Sequence, residues 1–561
     1  MKLGTKTSDD PKIISEMFSH HFKSVFEPLS DNAYTLAQHL EDNFTGTNLH
    51  DIRFTQLEVC TALKNIDPNK GAGPDKIKPV FLKHTSNTIC MPLNIIFNKC
   101  LETGTFPTQW KQAYITPIHK SGSKNNVENY RPISILSAIP KIFEKLIHDH
   151  IYSILKNTLL EEQHGFVNGR STLTNLLVFT NFIFNSLDSK SQIETVYTDF
   201  KKAFDKVDHL LLLKKISYNG IKGNLLRWFA SYLQNRIQSV VLNGYISLPV
   251  VVTSGVPQGS ILGPLLFILF INDISTCFDH CKFLLYADDL KLYSAIIKPD
   301  DIKLIQNDLD RLENYCKINK LFLAYNKCKH ITYTRNKNVV HADFYLGGHK
   351  IVSEFSIRDL GVYLDTKLTL DRHIEEILNK SYRMLGFVTR ITKSFKHKDT
   401  LTCLYQSLVR SHLEYVSPVW NPFYSVYEDK IEKVQKKFLR IVNYRMHSPR
   451  VSYENLLTKY QMLSLKDRRT LIDATTFRNI CVGEIKCSQL LSEVRFRIPP
   501  KNTRSKNLFH IPKTRTNIGK RAPVRRMCVL HNKMLNDIDM FSISRSAFKT
   551  KLKSTLVTIM N

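Results

Sequence analysis

Two acidic segments hold the residues whose types and spacing could do chemistry. TDFKKAFD sets Asp199 at the end of an alternating apolar run, and LLYADDLKLY sets Asp288 and Asp289 side by side. Asp suits turn geometry, so adjacent acids at a turn also have an ordinary structural origin. The flanks ask for more. KFLLY before the pair and LKLYSAII after it are largely apolar, so both charges stand beside strands destined for a core. Like charges there repel and lose solvation unless a cation compensates. Hard divalent cations take carboxylate oxygens, and Mg²⁺ recruits phosphate oxygens and water as well. Asp199 is the best third carboxylate for such a site. Paired ions about 3.5–4 Å apart suit in-line phosphoryl displacement, one activating the attacking oxygen and the other stabilising the leaving group.

The charge balance points to the substrate. Among 561 residues, 79 Lys and Arg oppose 50 Asp and Glu, a net of +29. A chain so basic has nucleic acid as its default partner, which makes nucleotidyl transfer the natural reaction. Residues 495–561 alone hold sixteen Lys and Arg against two Asp, a net of +14. That tail reads as a phosphate-binding extension or as a solvated basic surface. Phe496, Phe509, Phe541 and Phe548 are interleaved with its charges and could stack on bases. GKRAPVRR (519–526) also fits a nuclear-import signal.

Hydrophobic residues at 43% and charged residues at 23% match globular usage and exclude a disordered, collagen-like or low-complexity chain. Eleven Cys without CxxC or knuckle spacing fit reduced thiols rather than a disulfide framework or zinc site. The start, MKLGTKTSDDPKII, lacks the apolar core of a secretory signal. The longest apolar stretch, about Ile261–Ile271, is short of the roughly 20 residues that cross a bilayer. The expectation is an intracellular protein of nucleus or cytoplasm with no membrane partner. Nothing here fixes an oligomeric state.

The acids need elements to position them. Residues 193–199 alternate as a strand ending at Asp199, and 281–297 read as strand, turn, strand around Asp288 and Asp289. A long helical region is expected over 207–233, then two strands over 237–253 joined by an Asn-Gly turn at 243–244. SGVPQGSILGP precedes an apolar helix. A helix over 301–319 and strands at 329–335 and 357–364 follow, and helices dominate from about 370. Upstream, helical spacing at Val59–Leu63 and Val80–Leu101 flanks the loop NKGAGPDK (69–76). A strand near Tyr114–Ile118 and a helix over 140–156 complete that part. Residues 1–55 read as a helical, partly loose lead-in.

The ordered set TDFKKAFD, SGVPQGSILGP and YADD resembles the palm motifs of reverse transcriptases. The whole chain from about residue 60 resembles the polymerase part of a non-LTR, LINE-type retrotransposon protein of the jockey-like group. NKGAGPDKIKPVFLK (69–83), ENYRPISILSAIPKIFEKLI (128–147), EEQHGFVNGRST (161–172), LGVYLDTKLTLDRHI (360–374), LEYVSPVWNP (413–422) and IEKVQKKFLR (431–440) carry the same likeness.

The resemblance implies an α+β right hand: fingers over 56–195, an antiparallel-sheet palm over 196–365, a helical thumb over 366–470 and a basic extension over 471–561. It implies an RNA-directed DNA polymerase that uses Mg²⁺ or Mn²⁺, an RNA template, a DNA primer and deoxynucleoside triphosphates. A catalytically idle nucleic-acid-binding remnant of such an element is the alternative. Asp199, Asp288 and Asp289 match the metal-binding catalytic set, and the carbonyl of Phe200 can also approach a metal. Phe204 matches the aromatic gate under the sugar of the incoming nucleotide, or is plain core. Arg131 and Lys120 match finger cations on the triphosphate, and Gln258 a residue near nucleotide and template. Gly255 and Gly259 would let the backbone pass close to the substrate. Lys327 falls near a fourth motif whose Lys assists pyrophosphate departure, although Ala324 stands where relatives often have Asn. Leu360, Gly361 and Val362 resemble the primer-grip turn, or an ordinary edge strand. About 55 residues before the finger motifs are too few for the endonuclease domain that such proteins usually carry, so a polymerase fragment or truncated copy is expected.

Overall fold

The computed structural model describes residues 1–27, 52–497, 507–534 and 538–560. Its centre is a five-stranded sheet in the order Val352–Ser353, Lys329–Tyr333, Gln192–Thr198, Asp289–Ile296, Lys282–Tyr286. All neighbours are antiparallel except the first pair. Both faces are covered, which is why KFLLY and most of DLKLYSAI read as apolar runs. Ile193, Leu284, Tyr293 and Ile331 pack one way, against Phe179 and Ile183 of the helix Thr172–Asp188. Val196, Phe283, Leu285 and Leu292 pack the other way, into a core shared with the helices Leu262–Ile271 and Asp301–Ile318. Period-two alternation thus feeds two separate cores.

A second sheet runs Tyr130–Ile135, Gln112–His119, Arg236–Leu242, Tyr245–Ile246, with Val250–Val252 also paired to Arg236–Leu242. The two sheets are therefore not built from consecutive stretches of chain. The second sheet combines strands from the range expected for the fingers with 236–252, from the range expected for the palm. The boundary drawn at 195/196 falls inside the strand Gln192–Thr198, and that at 470/471 inside the helix Leu465–Cys481. The region 207–233 is two helices, His209–Tyr218 and Gly223–Leu233, because Gly220 turns with φ +90° between them. The Asn-Gly turn forms as expected, with both residues left-handed (φ 48° and 85°).

The lead-in is firmer than its composition suggests. Pro11–Lys23 is a helix whose N-cap Asp10 accepts from the Lys12 amide. It buries Ile14, Met17, Phe18 and Phe22 against Ile115, Val127 and Val240 of the fingers. The remainder of the expected lead-in, 28–51, lies outside the described residues.

Helices dominate the C-terminal half, and the basic extension is part of their core. Met527, Cys528, Phe548 and Leu552 share it with Leu471 and Phe477. Asp188, at the end of the helix Thr172–Asp188, accepts from the amides of Arg515 and Thr516 at 3.1 and 2.8 Å, and Arg526 pairs with Asp473 at 3.2 Å. Phe509 and Phe548 are buried, so they pack the domain and are closed to base stacking, whereas Phe496 and Phe541 stay half exposed. All eleven Cys are free thiols. Among the described residues no helix is long and apolar enough to cross a membrane.

Candidate active site

The register of the central sheet brings the acids together. Leu290 pairs with Thr198, so one step further Asp289 stands opposite Asp199 on the neighbouring strand. Directly opposed residues share a face, with Cβ atoms about 4.5–5.5 Å apart. Asp288 occupies the two-residue turn Ala287–Asp288, where Ala287 is left-handed at φ 58°. Burial raises the Asp288 carboxyl above the usual range. The charge of Asp199 raises it further, while Lys120 and Arg131 pull it down. Asp289 is pushed up to about 6 by the crowding of its surroundings, then by Asp288, Asp359 and Asp199. Two adjacent carboxylates whose protons are held more tightly than usual, with the charge of Asp199 beside them, mark a site built for positive charge.

Lys327 supplies one such charge. Its Nζ lies 3.0 Å from Oδ2 of Asp199. Among the described residues no three His, Cys, Asp or Glu side chains form a metal-ligating group. Of the expected trio, Asp199 and Asp289 are related by strand register, Asp288 lies in the turn, and Asp199 is paired with Lys327. The donor chemistry still suits a hard divalent cation: all-oxygen, multiply charged and electrostatically strained without compensation. Phe200 forms an antiparallel bridge with Leu323 beside Asp199, and its side chain is buried.

The finger cations face this cluster from the other sheet. Arg131 pairs with Ile118 in the register of the fingers strands, and the Lys120 amide donates to Asn129 O at 2.8 Å. Both side chains are exposed. Phe204 stacks on Phe267 at 4.4 Å between ring centroids, held but only half buried. Gln258 Nε2 donates to Asp205 Oδ1 at 2.7 Å. Burial raises Asp205 to about 6. A Cβ at Gly255 would lie 2.6 Å from the Asp205 carbonyl oxygen, and one at Gly259 2.5 Å from that of Ser134. The close approach at these glycines is to the protein's own backbone.

Leu360 and Gly361 form the turn of a hairpin between Ser356–Asp359 and Val362–Asp365, with φ of 43° and 93°. This is a tight two-residue turn rather than an edge strand. Val362 is fully buried, and the Tyr415 hydroxyl donates to Leu360 O at 3.0 Å. The preceding Asp359 makes a buried ion pair with Lys291, two residues past Asp289 on the same strand. A pocket of about 250 Å³ opens between Asp289, Lys327 and Leu360.

Some positioning residues escaped the sequence reading. Gln163 is buried, and its Oε1 accepts from the amides of Ala287 (2.9 Å) and Gly165 (2.8 Å), while Nε2 donates to Ala287 O at 3.3 Å. Asn175 Nδ2 donates to Leu285 O at 3.1 Å. A Cβ on Gly165 would sit 2.3 Å from the Ala287 amide nitrogen. The segment EEQHGFVNGRST thus clamps the turn that carries Asp288. For Gln163 and Gly165 the only sequence signal was membership of the family-like block, and Asn175, outside it, had none, because a lone Gln, Gly or Asn has no chemistry-bearing spacing.

Residues 118–389 match the model of the reverse transcriptase (RNA-dependent DNA polymerase) family. Over that span the chain is similar to a reverse transcriptase domain. It is 27% identical over 76% of its length to the probable RNA-directed DNA polymerase from transposon X-element of Drosophila melanogaster, covering 48% of that protein. It is 31% identical over 65% of its length to the probable RNA-directed DNA polymerase from transposon BS of the same fly, covering 41%. It is 27% identical over 76% of its length to the RNA-directed DNA polymerase from mobile element jockey, also of D. melanogaster, covering 48%. The chain thus spans about half the length of these relatives. The non-LTR resemblance drawn from the motifs is borne out, and with it the right-hand α+β class for the reverse transcriptase domain.

Proposed function

We propose that this chain is an RNA-directed DNA polymerase that extends a DNA primer on an RNA template with deoxynucleoside triphosphates. The observation that carries the proposal is the meeting of Asp199 and Asp289 across adjacent strands, with Asp288 in the turn between strands and cations on two sides. Asp199, Asp288 and Asp289 would hold divalent metal, Mg²⁺ or Mn²⁺. Such an ion, when bound, stabilises the charge that develops as the phosphoryl group transfers.

The chain's own residues do the rest. Lys120 and Arg131 receive the triphosphate from the fingers side. Lys327 holds Asp199 in register and stands where it can meet the leaving pyrophosphate. The Phe204 ring, braced by Phe267, sets the floor under the sugar and leaves no volume for a 2′-hydroxyl. Gln258, tied to Asp205, lines the same floor. The Leu360–Gly361 turn, fixed through Asp359 to the strand of Asp289, sets the primer end relative to the acids. The natural form is the polymerase of a non-LTR retrotransposon, working in nucleus or cytoplasm.

Primer extension on a heteropolymeric RNA template, with deoxynucleotides and Mg²⁺ or Mn²⁺, is the test. Extension that falls by orders of magnitude in Asp288→Asn, at unchanged RNA binding, supports the reading. Equal extension by mutant and wild type refutes the site. Undetectable extension by a folded, RNA-binding wild type refutes the activity and leaves a nucleic-acid-binding remnant.

A further inference from the structure

IEKVQKKFLR recurs as a family-like segment, yet none of its residues reaches the catalytic face. In the structure it forms the middle of the helix Ser425–Arg445, which packs beside Asp371–Ile391. The two helices run parallel: Tyr427 meets Asp371 near their starts, and Arg445 meets Thr389 and Thr392 at their ends. Between their C-terminal halves lies a groove of about 730 Å³. Lys393, Lys433, Lys436, Lys437 and Arg440 line it, with Tyr444 at one end.

Lys433, Lys437, Arg440 and Tyr444 recur at helical spacing, so they form one exposed stripe. At 1.5 Å per residue the stripe runs about 16 Å. None of the five groove cations lies within ion-pair distance of a carboxylate among the described residues. Lys437 lies over the Tyr382 ring at 5.6 Å and Lys436 over Tyr453 at 5.6 Å, so aromatic faces neighbour these two charges, and Glu454 is close enough to feel Lys436 without pairing with it. The negative end of the helix Asp371–Ile391 is already covered, because Arg445 donates to the carbonyls of Thr389 and Thr392 at 2.8 Å each. Tyr444 is 82% exposed, a large ring with no packing role.

A row of unpaired cations flanked by an unpacked ring suits a polyanion whose bases are free to stack. A fully paired duplex offers phosphates but no base faces. The groove shares no lining residue with the pocket beside Asp289. We propose that this groove is a second nucleic-acid site, which grips the phosphates of a single-stranded RNA segment and stacks one base on Tyr444. Such a site would hold the template transcript away from the cleft while extension proceeds. The binding claim stands apart from the polymerase reading, since its readout needs no catalysis.

The test uses the full chain and a labelled 15-nucleotide single-stranded RNA, titrated by fluorescence anisotropy from 0.05 to 0.3 M salt. One variant carries K433Q, K437Q and R440Q. A matched control carries K64Q, K156Q and K337Q, exposed lysines on other elements. Three lost phosphate contacts should flatten the log–log salt slope by about 2. Affinity of the groove variant should fall at least tenfold at 0.15 M salt, with the control near wild type. Tyr444→Ala should weaken single-stranded RNA at least fivefold and leave a blunt RNA duplex unaffected. Photocrosslinking of wild-type protein to thiouridine-labelled RNA should mark the peptide containing Tyr444, which needs no variant to fold. Equal slopes for the groove and control variants, an equal loss of duplex binding in Tyr444→Ala, or absence of that crosslink would each overturn the proposal. Extension of a short, saturating template–primer should persist in the groove variant whenever the wild type extends.

Discussion

Gln163→Met is the sharpest probe of how the catalytic turn is held. The substitution keeps size and removes every polar partner the turn has from this side chain. Two buried amides, those of Ala287 and Gly165, lose their acceptor, and Ala287 O loses a donor. Each buried donor left unsatisfied costs about 1–3 kcal/mol. The two amides together therefore cost about 2–6 kcal/mol. Ala287 adds strain of its own, because a left-handed alanine costs about 1–2 kcal/mol relative to the ordinary helical region. The turn's cheapest response is to relax Ala287 and shift Asp288. Displacing a catalytic group by about 1 Å can lower rate about 10²-fold. The expected result is a folded protein with a lower melting temperature, near-normal affinity for template–primer and kcat reduced about 100-fold. Single-nucleotide extension under saturating substrate, beside circular dichroism and calorimetry, reads all three. Wild-type kcat together with a wild-type melting temperature would refute the clamp.

Phe204→Ala should raise the ratio of ribonucleotide to deoxyribonucleotide incorporation, since the ring braced on Phe267 is what excludes the 2′-hydroxyl; an unchanged ratio in single-nucleotide assays counts against that placement. Asp205 binds its proton more tightly folded than unfolded, so its contribution to stability is full below about pH 4 and is lost as pH rises through about 6. Asp205→Asn, which keeps an acceptor for Gln258, should therefore raise the melting temperature at pH 7.5 and leave it unchanged at pH 4. Ending the chain at Val494 strips Phe509, Met527, Phe548 and Leu552 from the core around Phe477, so the expected product is aggregated or dye-binding protein rather than a soluble enzyme with weaker RNA affinity. A soluble, cooperatively melting truncation would show the extension to be dispensable for the fold.

Much of this protein was legible in one dimension because local chemistry is local. Apolar strands flanking Asp288 and Asp289 announce a hairpin that must bury its sides and hold its charges at the tip. An Asn-Gly pair can adopt left-handed angles on its own, so the 243–244 turn needed no tertiary help. A net charge of +29 is a property of composition alone. The order of the motifs carried the family.

Tertiary structure decided what depends on contacts between distant residues. Whether Asp199 opposes Asp289 is a matter of strand register, and a slip of one residue would turn every side chain to the other face. That the strand 236–242 pairs with 112–119 could not be read from its own pattern, because a strand's alternation does not name its neighbour. The basic tail shows the same limit. Its charge suggested an arm on phosphate, but Phe509 and Phe548 needed a core, and only the packed helices show where that core lies. Gln163 is the plainest case. An amide side chain has no meaning in isolation, and it became a clamp only when the fold set Ala287 within hydrogen-bond reach, on a chain segment distant in sequence.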